Sequence, residues 1–190
     1  YAQGIQLVTQ LLRDAAERKS LELKPIKELV EEVINCFVLG DKTLLVLFHQ
    51  EESADNYLYN HIVNVMLISV AVGLRLGYNK SGLNELGLAA FLHDIGMVEV
   101  MKIAMQPRAL SVEEHDRIKE HPNYSVELLS KIKDIPKIVV DAVQQQHERI
   151  NGEGYPRGLK NGEISEYARI IGAIDVYEAL THNRPYRKQL

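Results

Sequence analysis

Four histidines and two aspartates are the residues of this chain whose types and placement could do chemistry together: His61, His93, His121, His147, Asp94 and Asp175. The dipeptide His93-Asp94 closes the apolar run Leu88-Ala89-Ala90-Phe91-Leu92 and is followed at once by Ile95-Gly96. A carboxylate at such a position needs a charge or hydrogen-bond partner to stay ionised. His61, Val65, Ile68 and Val72 fall at 0, +4, +7 and +11, so His61 shares an apolar helix face. His147 follows Val139 and Val143 at the same four-residue step, and Asp175 faces the same way as Ile171 and Ile174. His121 precedes Pro122, which disfavours helical geometry at the residue before it and sets His121 at a helix end. Taken singly, each reads as a satisfied core residue or a local ion pair, Asp175 with Arg169 or Arg184 for example. Taken together, they would leave several buried polar atoms in need of one shared partner, and a cation is such a partner. Imidazole and carboxylate without thiolate suit iron, manganese, zinc or nickel. A carboxylate that bridges two ions about 3.5–4 Å apart is a common device for phosphoester cleavage. His115 lies six residues before His121, about 120° around the axis; His49, His182, Glu178 and Asp141 read as solvated surface.

These groups must be brought together by helices. Apolar positions recur at helical spacing over residues 4–19, at Ile5, Val8, Leu11, Leu12 and Ala15. Pro25 opens a second helix with Ile26, Leu29, Val30 and Val33 on one side. The segment Leu44 to Phe48 is expected to be helical, since no neighbour offers a strand partner. A long helix is expected from Asp55 to Leu76 and ends at Gly77. Ser81 is expected to cap the next, which Gly96 stops. Ser111-Val112-Glu113-Glu114 is a capping box that opens a helix closing at His121. A helix over 136–147 follows, then a glycine-rich loop from Asn151 to Gly162, then a final helix capped by Ser165. With no repeat and no sustained alternation of period two, the expected class is all-α.

The 190 residues suit one domain with a small annex. With 46% hydrophobic and 25% charged residues the chain can bury a core, and a net charge of −4 argues against duplex nucleic acid as a partner. No apolar run approaches the roughly 18 residues needed to cross a bilayer, and residues 1–20 lack a signal-peptide pattern. The expectation is a cytoplasmic protein without membrane insertion. The lone Cys36 fits a reducing compartment. The start at Tyr1 and the stop at Leu190 suggest a piece of a longer protein.

Several motifs recur in a known order. Leu92-His93-Asp94-Ile95-Gly96, Lys119-Glu120-His121-Pro122, His147-Glu148-Arg149, Gly152-Glu153-Gly154-Tyr155-Pro156, Ala168-Arg169-Ile170 with Asp175 and Ala179-Leu180-Thr181, and Arg184-Pro185-Tyr186-Arg187 together resemble the HD-GYP domain family, and Tyr57 with His61 resembles its opening helix. The resemblance spans about residues 55–190. It implies an HD-superfamily helical bundle carrying an HD-GYP loop, with residues 54–190 as the HD-GYP domain, truncated at its C-terminus; residues 1–53 are read from their apolar stripes as an N-terminal helical segment for packing or dimerisation. It implies a metal-dependent phosphodiesterase of bacterial signalling that hydrolyses cyclic di-GMP, or a related cyclic dinucleotide, to pGpG or GMP, and a fused or partner sensory domain. One or two divalent transition ions (iron, manganese, or zinc or nickel) are implied. His61, His93, Asp94 and Asp175 would hold the first; Asp94 would bridge to a second, held also by His121. His93 and Asp94 would carry the catalysis, and Tyr155, Arg184 and Arg187 would line the dinucleotide site, guanidinium forks suiting a phosphodiester.

Four positions depart from that family's pattern. Met97 stands where a lysine is usual, Gln146 where the first of two paired histidines completes the second metal position, Asn151 where an aspartate is usual, and Tyr57 where some members have a glutamate. Gln146 offers only an amide oxygen, and His147 lies about 100° further around an ideal helix. At most two ions are expected, the second weakly held. The alternative reading is a degenerate domain that binds a nucleotide or a protein without turnover. The stripes Ile5/Val8/Leu12 and Ile26/Leu29/Val33 suggest a homodimer through the N-terminal helices, or else packing on the main domain.

Overall fold

The computed structural model describes residues 1–41, residue 43 and residues 57–181. The expected segment Leu44 to Phe48, the histidines His49 and His182, and both arginines Arg184 and Arg187 lie outside the described residues. Nine α-helices occur among those described: α1 (Ala2–Ala16), α2 (Lys24–Val38), α3 (Tyr57–Arg75), α4 (Lys80–Leu92), α5 (Met101–Ala104), α6 (Val112–Ile118), α7 (His121–Leu129), α8 (Lys137–Gln145) and α9 (Glu166–Thr181). Short 3₁₀ turns occupy Ile95–Glu99 and Asn161–Glu163. No strand forms among the described residues; Asn151 and Lys160 make one isolated antiparallel bridge.

The fold is organised around α3. This helix packs on α4, α9, α1 and α2 and buries Ile62, Val63, Val65, Met66, Leu67 and Val70. It has 19 residues and a mean hydropathy of 1.5, enough by length and composition to cross a membrane, contrary to the expectation that no apolar run is long enough. Here 61% of that stretch is buried inside the fold, and its polar residues Asn60, His61 and Asn64 are turned inward. The stripes of the first two helices also face inward: Val8, Leu12, Ile26, Leu29, Val30 and Val33 are each at most 5% exposed. They belong to the same apolar core as α3 and α4. The faces on which a homodimer was expected are therefore covered by the chain's own helices.

Several helix ends differ from the sequence expectation. Asn79, not Ser81, caps α4, its side chain accepting from the Gly82 N–H at 2.9 Å. The capping box of Ser111 and Glu114 forms as expected. The helix it opens stops at Ile118, and His121 begins a new one, α7, with Pro122 in its first turn. A proline suits that place because a first-turn N–H has no helical acceptor to lose. The signal that reads as a helix end thus marks a helix start. Gly96 does not stop α4; it lies in the following 3₁₀ turn, where a Cβ would run into the His121 carbonyl and Ser125. Its N–H donates to Ser125 Oγ at 2.9 Å, pinning the turn to α7. Ser165 does cap α9, its hydroxyl accepting from the Ala168 N–H at 3.2 Å.

Candidate metal centre

Five elements bring the six groups to one point. α3 supplies His61; the end of α4 supplies His93 and Asp94; α7 supplies His121 from its first residue; the chain just beyond α8 supplies His147; α9 supplies Asp175. Two clusters result, with donor atoms within 4.8 Å of one another: His61, His93 and Asp94 in one, and Asp94, His121 and His147 in the other. Asp94 is common to both. Its Oδ2 lies 3.7 Å from His61 Nε2 and 3.5 Å from His93 Nε2, and its Oδ1 lies 3.3 Å from His121 Nε2. Asp175 also spans the pair, 3.3 Å from His61 Nε2 and 3.7 Å from His147 Nδ1.

The protons on these rings are constrained. A backbone carbonyl can only accept, so His93 Nδ1, 2.7 Å from Ala90 O, and His121 Nδ1, 2.9 Å from Ile118 O, must each carry a hydrogen. Their Nε2 lone pairs then point into the clusters. There His93 Nε2 meets His61 Nε2 at 3.3 Å, and His121 Nε2 meets His147 Nε2 at 3.1 Å. Lone pairs facing lone pairs and carboxylate oxygens need a positive charge between them. The titration behaviour says the same. Burial disfavours an imidazolium at His61, yet hydrogen bonds to Asp175 and Glu178 outweigh it and push the group up to about 10. At His121 burial is likewise outweighed by Asp94, and the group is raised. The paired rings go the other way. Burial lowers His93, and burial together with His121 lowers His147 to about 4. Burial would raise both aspartates, but the histidines hold Asp94 well below the usual range and Asp175 at about 2. The donor set, nitrogen and oxygen only with the outer ring nitrogens anchored, fits a divalent transition ion.

Gln146 and His147 exchange their expected parts. Gln146 is 1% exposed and turns its amide N–H groups inward, donating to the His93 carbonyl at 2.8 Å and to Asp94 Oδ1 at 3.2 Å. Its oxygen, the atom expected to approach a metal, finds no hydrogen-bond partner among the described residues. His147 reaches the second cluster instead, from the turn that follows α8.

Tyr155 stacks on His147, ring centres 4.7 Å apart, at the mouth of the centre. Burial and the two aspartates push its phenol up, so it stays a neutral donor. The loop carrying it is held by Glu148, which lies 5% exposed and accepts the N–H groups of Arg157 at 2.7 Å and Leu159 at 2.8 Å. Gly154 has no room for a side chain, since a Cβ would strike the backbone of Glu148 and Arg149. Asn151 is exposed and serves the loop's turn, its Oδ1 accepting from the Glu153 N–H at 3.0 Å. Tyr57 stacks over His61 at 5.6 Å. A cleft of about 260 Å³ opens over the centre, walled by Leu58, Met97, Met101, Met105 and Ile118 beside the two tyrosines. Neither lysine nor arginine lines it among the described residues.

Two carboxylates of this region escaped the sequence reading. Glu178 is not a solvated surface charge: it is 1% exposed, with Oε2 2.5 Å from His61 Nδ1 and Oε1 accepting from Asn64 Nδ2 at 3.1 Å. Its spacing of three from Asp175 on one helix was the available signal, since such residues are neighbours on a helix surface. Glu148, the loop anchor, stood within the motif His147-Glu148-Arg149, with no role assigned to it.

Residues 48–190 match a family model described as HD domain. The chain is 34% identical over 182 residues to a cyclic di-GMP phosphodiesterase of Pseudomonas aeruginosa, covering 95% of this chain and 44% of that protein. It is 30% identical over 148 residues to a cyclic di-GMP phosphodiesterase of Thermotoga maritima, covering 77% and 40%. It is 32% identical over 132 residues to the 3'3'-cGAMP-specific phosphodiesterase 3 of Vibrio cholerae, covering 69% and 28%. The chain spans less than half the length of these relatives. A solved HDG"Y"P protein from Bdellovibrio bacteriovorus shares the fold, with a TM-score of 0.76 at 19% identity over 98% of this chain and 60% of that one.

Proposed function

Because the chain belongs to the HD domain family, in its HD-GYP branch, we propose that it is a metal-dependent phosphodiesterase acting on a cyclic dinucleotide, cyclic di-GMP or 3'3'-cGAMP. One observation carries the reading: a single carboxylate, Asp94, is shared by two histidine clusters at the floor of a cleft whose mouth holds Tyr155. His61, His93, Asp94 and Asp175 would hold one divalent ion, and Asp94, His121 and His147 a second. Such ions supply Lewis acidity and lower the pKa of a bound water to about 7. The chain does the rest. Gln146 fixes Asp94 by its amide N–H, so that both oxygens stay aimed at the clusters. Ala90 and Ile118 hold two rings in one tautomer. Tyr155 offers a phenolic O–H and a ring face at the height of the substrate. Arg184 and Arg187, outside the described residues, belong to this proposal as phosphodiester contacts.

Incubation of the purified chain with each dinucleotide and Mn²⁺ or Fe²⁺ tests the reading: pGpG or GMP from cyclic di-GMP, or the linear dinucleotide from cGAMP, is the expected product. A second reading, binding without turnover, is favoured by the apolar cleft wall, where Met97 leaves a phosphate oxygen without a cation. Calorimetric binding of the dinucleotide with no product at high protein concentration would decide for it.

A further inference from the structure

We propose that Glu178 is a positioning residue for the metal centre, acting through His61. The inference rests on the metal-centre reading above and goes beyond it, since Glu178 approaches the ion site only by way of the imidazole.

The three helical histidines of the centre solve one problem in two ways. To present Nε2 to an ion, a ring must donate its Nδ1–H elsewhere. His93 and His121 donate to the carbonyls of Ala90 and Ile118, each three residues back. Those carbonyls lie in the last turns of α4 and α6, where backbone acceptors have no helical partner. His61 cannot do this. It stands inside α3, whose carbonyls are engaged along the helix, so its Nδ1 must find a side chain. Glu178 supplies it from α9, at 2.5 Å. Both residues are at most 3% exposed, so water does not compete.

The carboxylate is itself aimed. Asn64, three residues after His61 on α3, donates to Glu178 Oε1 at 3.1 Å, and Tyr1 Oη in turn donates to Asn64 Oδ1 at 3.0 Å. On α9, Glu178 sits three residues after Asp175, which contacts His61 Nε2 at 3.3 Å. One helix, α9, thus reaches both nitrogens of one ring on α3, one by each carboxylate. An anionic acceptor makes the opposite ring nitrogen a stronger donor to a metal than a neutral carbonyl does.

The test is metal affinity of the whole chain, read by the visible spectrum of Co²⁺ during titration and by calorimetry with Mn²⁺. Glu178→Gln keeps the shape and removes the charge. It should weaken the tighter site by about 10–100-fold, the usual effect of losing an outer partner of a metal-bound histidine, and shift the Co²⁺ bands. Unchanged affinity and bands in E178Q overturn the proposal while the metal centre stands. Failure of the unaltered chain to bind either ion overturns both. Should E178Q not fold, the unaltered protein loaded with Zn²⁺ answers by imidazole ¹⁵N NMR. A protonated, strongly deshielded Nδ1 at His61 supports the assignment, and an unprotonated Nδ1 overturns it.

Discussion

Asp94 and Gln146 touch each other, yet they should respond to substitution in opposite ways. Asp94→Asn removes the charge that belongs to both three-residue clusters. Metal content measured by mass spectrometry should fall sharply, and hydrolysis should drop by about 10²–10³, the scale seen when one preorganised electrostatic group is lost. Gln146→Leu takes away an N–H from the His93 carbonyl and from Asp94 but no ligand. It should keep its metal and lose about 1–3 kcal/mol of stability in denaturant unfolding, the penalty for buried acceptors left unpaired. A loss of metal far beyond the weakening of about 10–100-fold expected when an outer partner of a ligand is removed would mean that the amide oxygen itself faces the second ion. The four histidines and both aspartates that the fold brings together were legible as residues, because polar groups on apolar faces demand an explanation. Glu178 was not. An acidic residue on a helix face looks solvated until the fold shows His61 and Asn64 opposite it.

The longer helical elements were read from their 3.6-residue periodicity, whereas α5 and α7 were not assigned and the helix ends, on which the site depends, were read less well. Pro122 marks α7's beginning, and the reading of it as a terminator left a whole helix unassigned. His147 lies in the turn just past the end of α8, where the periodicity of the helix no longer assigns it a face. Such ends are set by capping partners in other elements, which a sequence does not display. The glycine-rich loop behaves as an element too, fixed by one buried carboxylate. Glu148→Ala should leave the N–H groups of Arg157 and Leu159 without an acceptor, expose the 151–160 loop to limited proteolysis and cost about 1–3 kcal/mol. Gly154→Ala should weaken dinucleotide binding with metal content unchanged, since it displaces Tyr155 but none of the ligands.

At the scale of the molecule, α1 and α2 are part of the core. Val30 lies directly against Gly87 on α4, so Val30→Asp should unfold the chain or lower its midpoint steeply in a thermal melt. A variant that melts like the parent would show the N-terminal helices to be dispensable. Metal should stabilise the whole fold, because its ligands come from five separate elements. At a hundredfold excess over Kd the gain is about 2.7 kcal/mol, or roughly 5–10 °C in Tm for a chain of this size. Chelation by EDTA should reverse it. The gain should shrink as pH falls from 7.5 to 5.5, since imidazoles must shed protons to bind.

One carboxylate serving two masters also has a thermodynamic consequence. An ion held at one cluster would draw electron density from the Asp94 oxygen that faces the other, and a second cation a few ångströms away would be repelled by the first. Loading should therefore be anticooperative: an isotherm with two separated steps, and a broad range of ion concentration in which the half-filled form predominates.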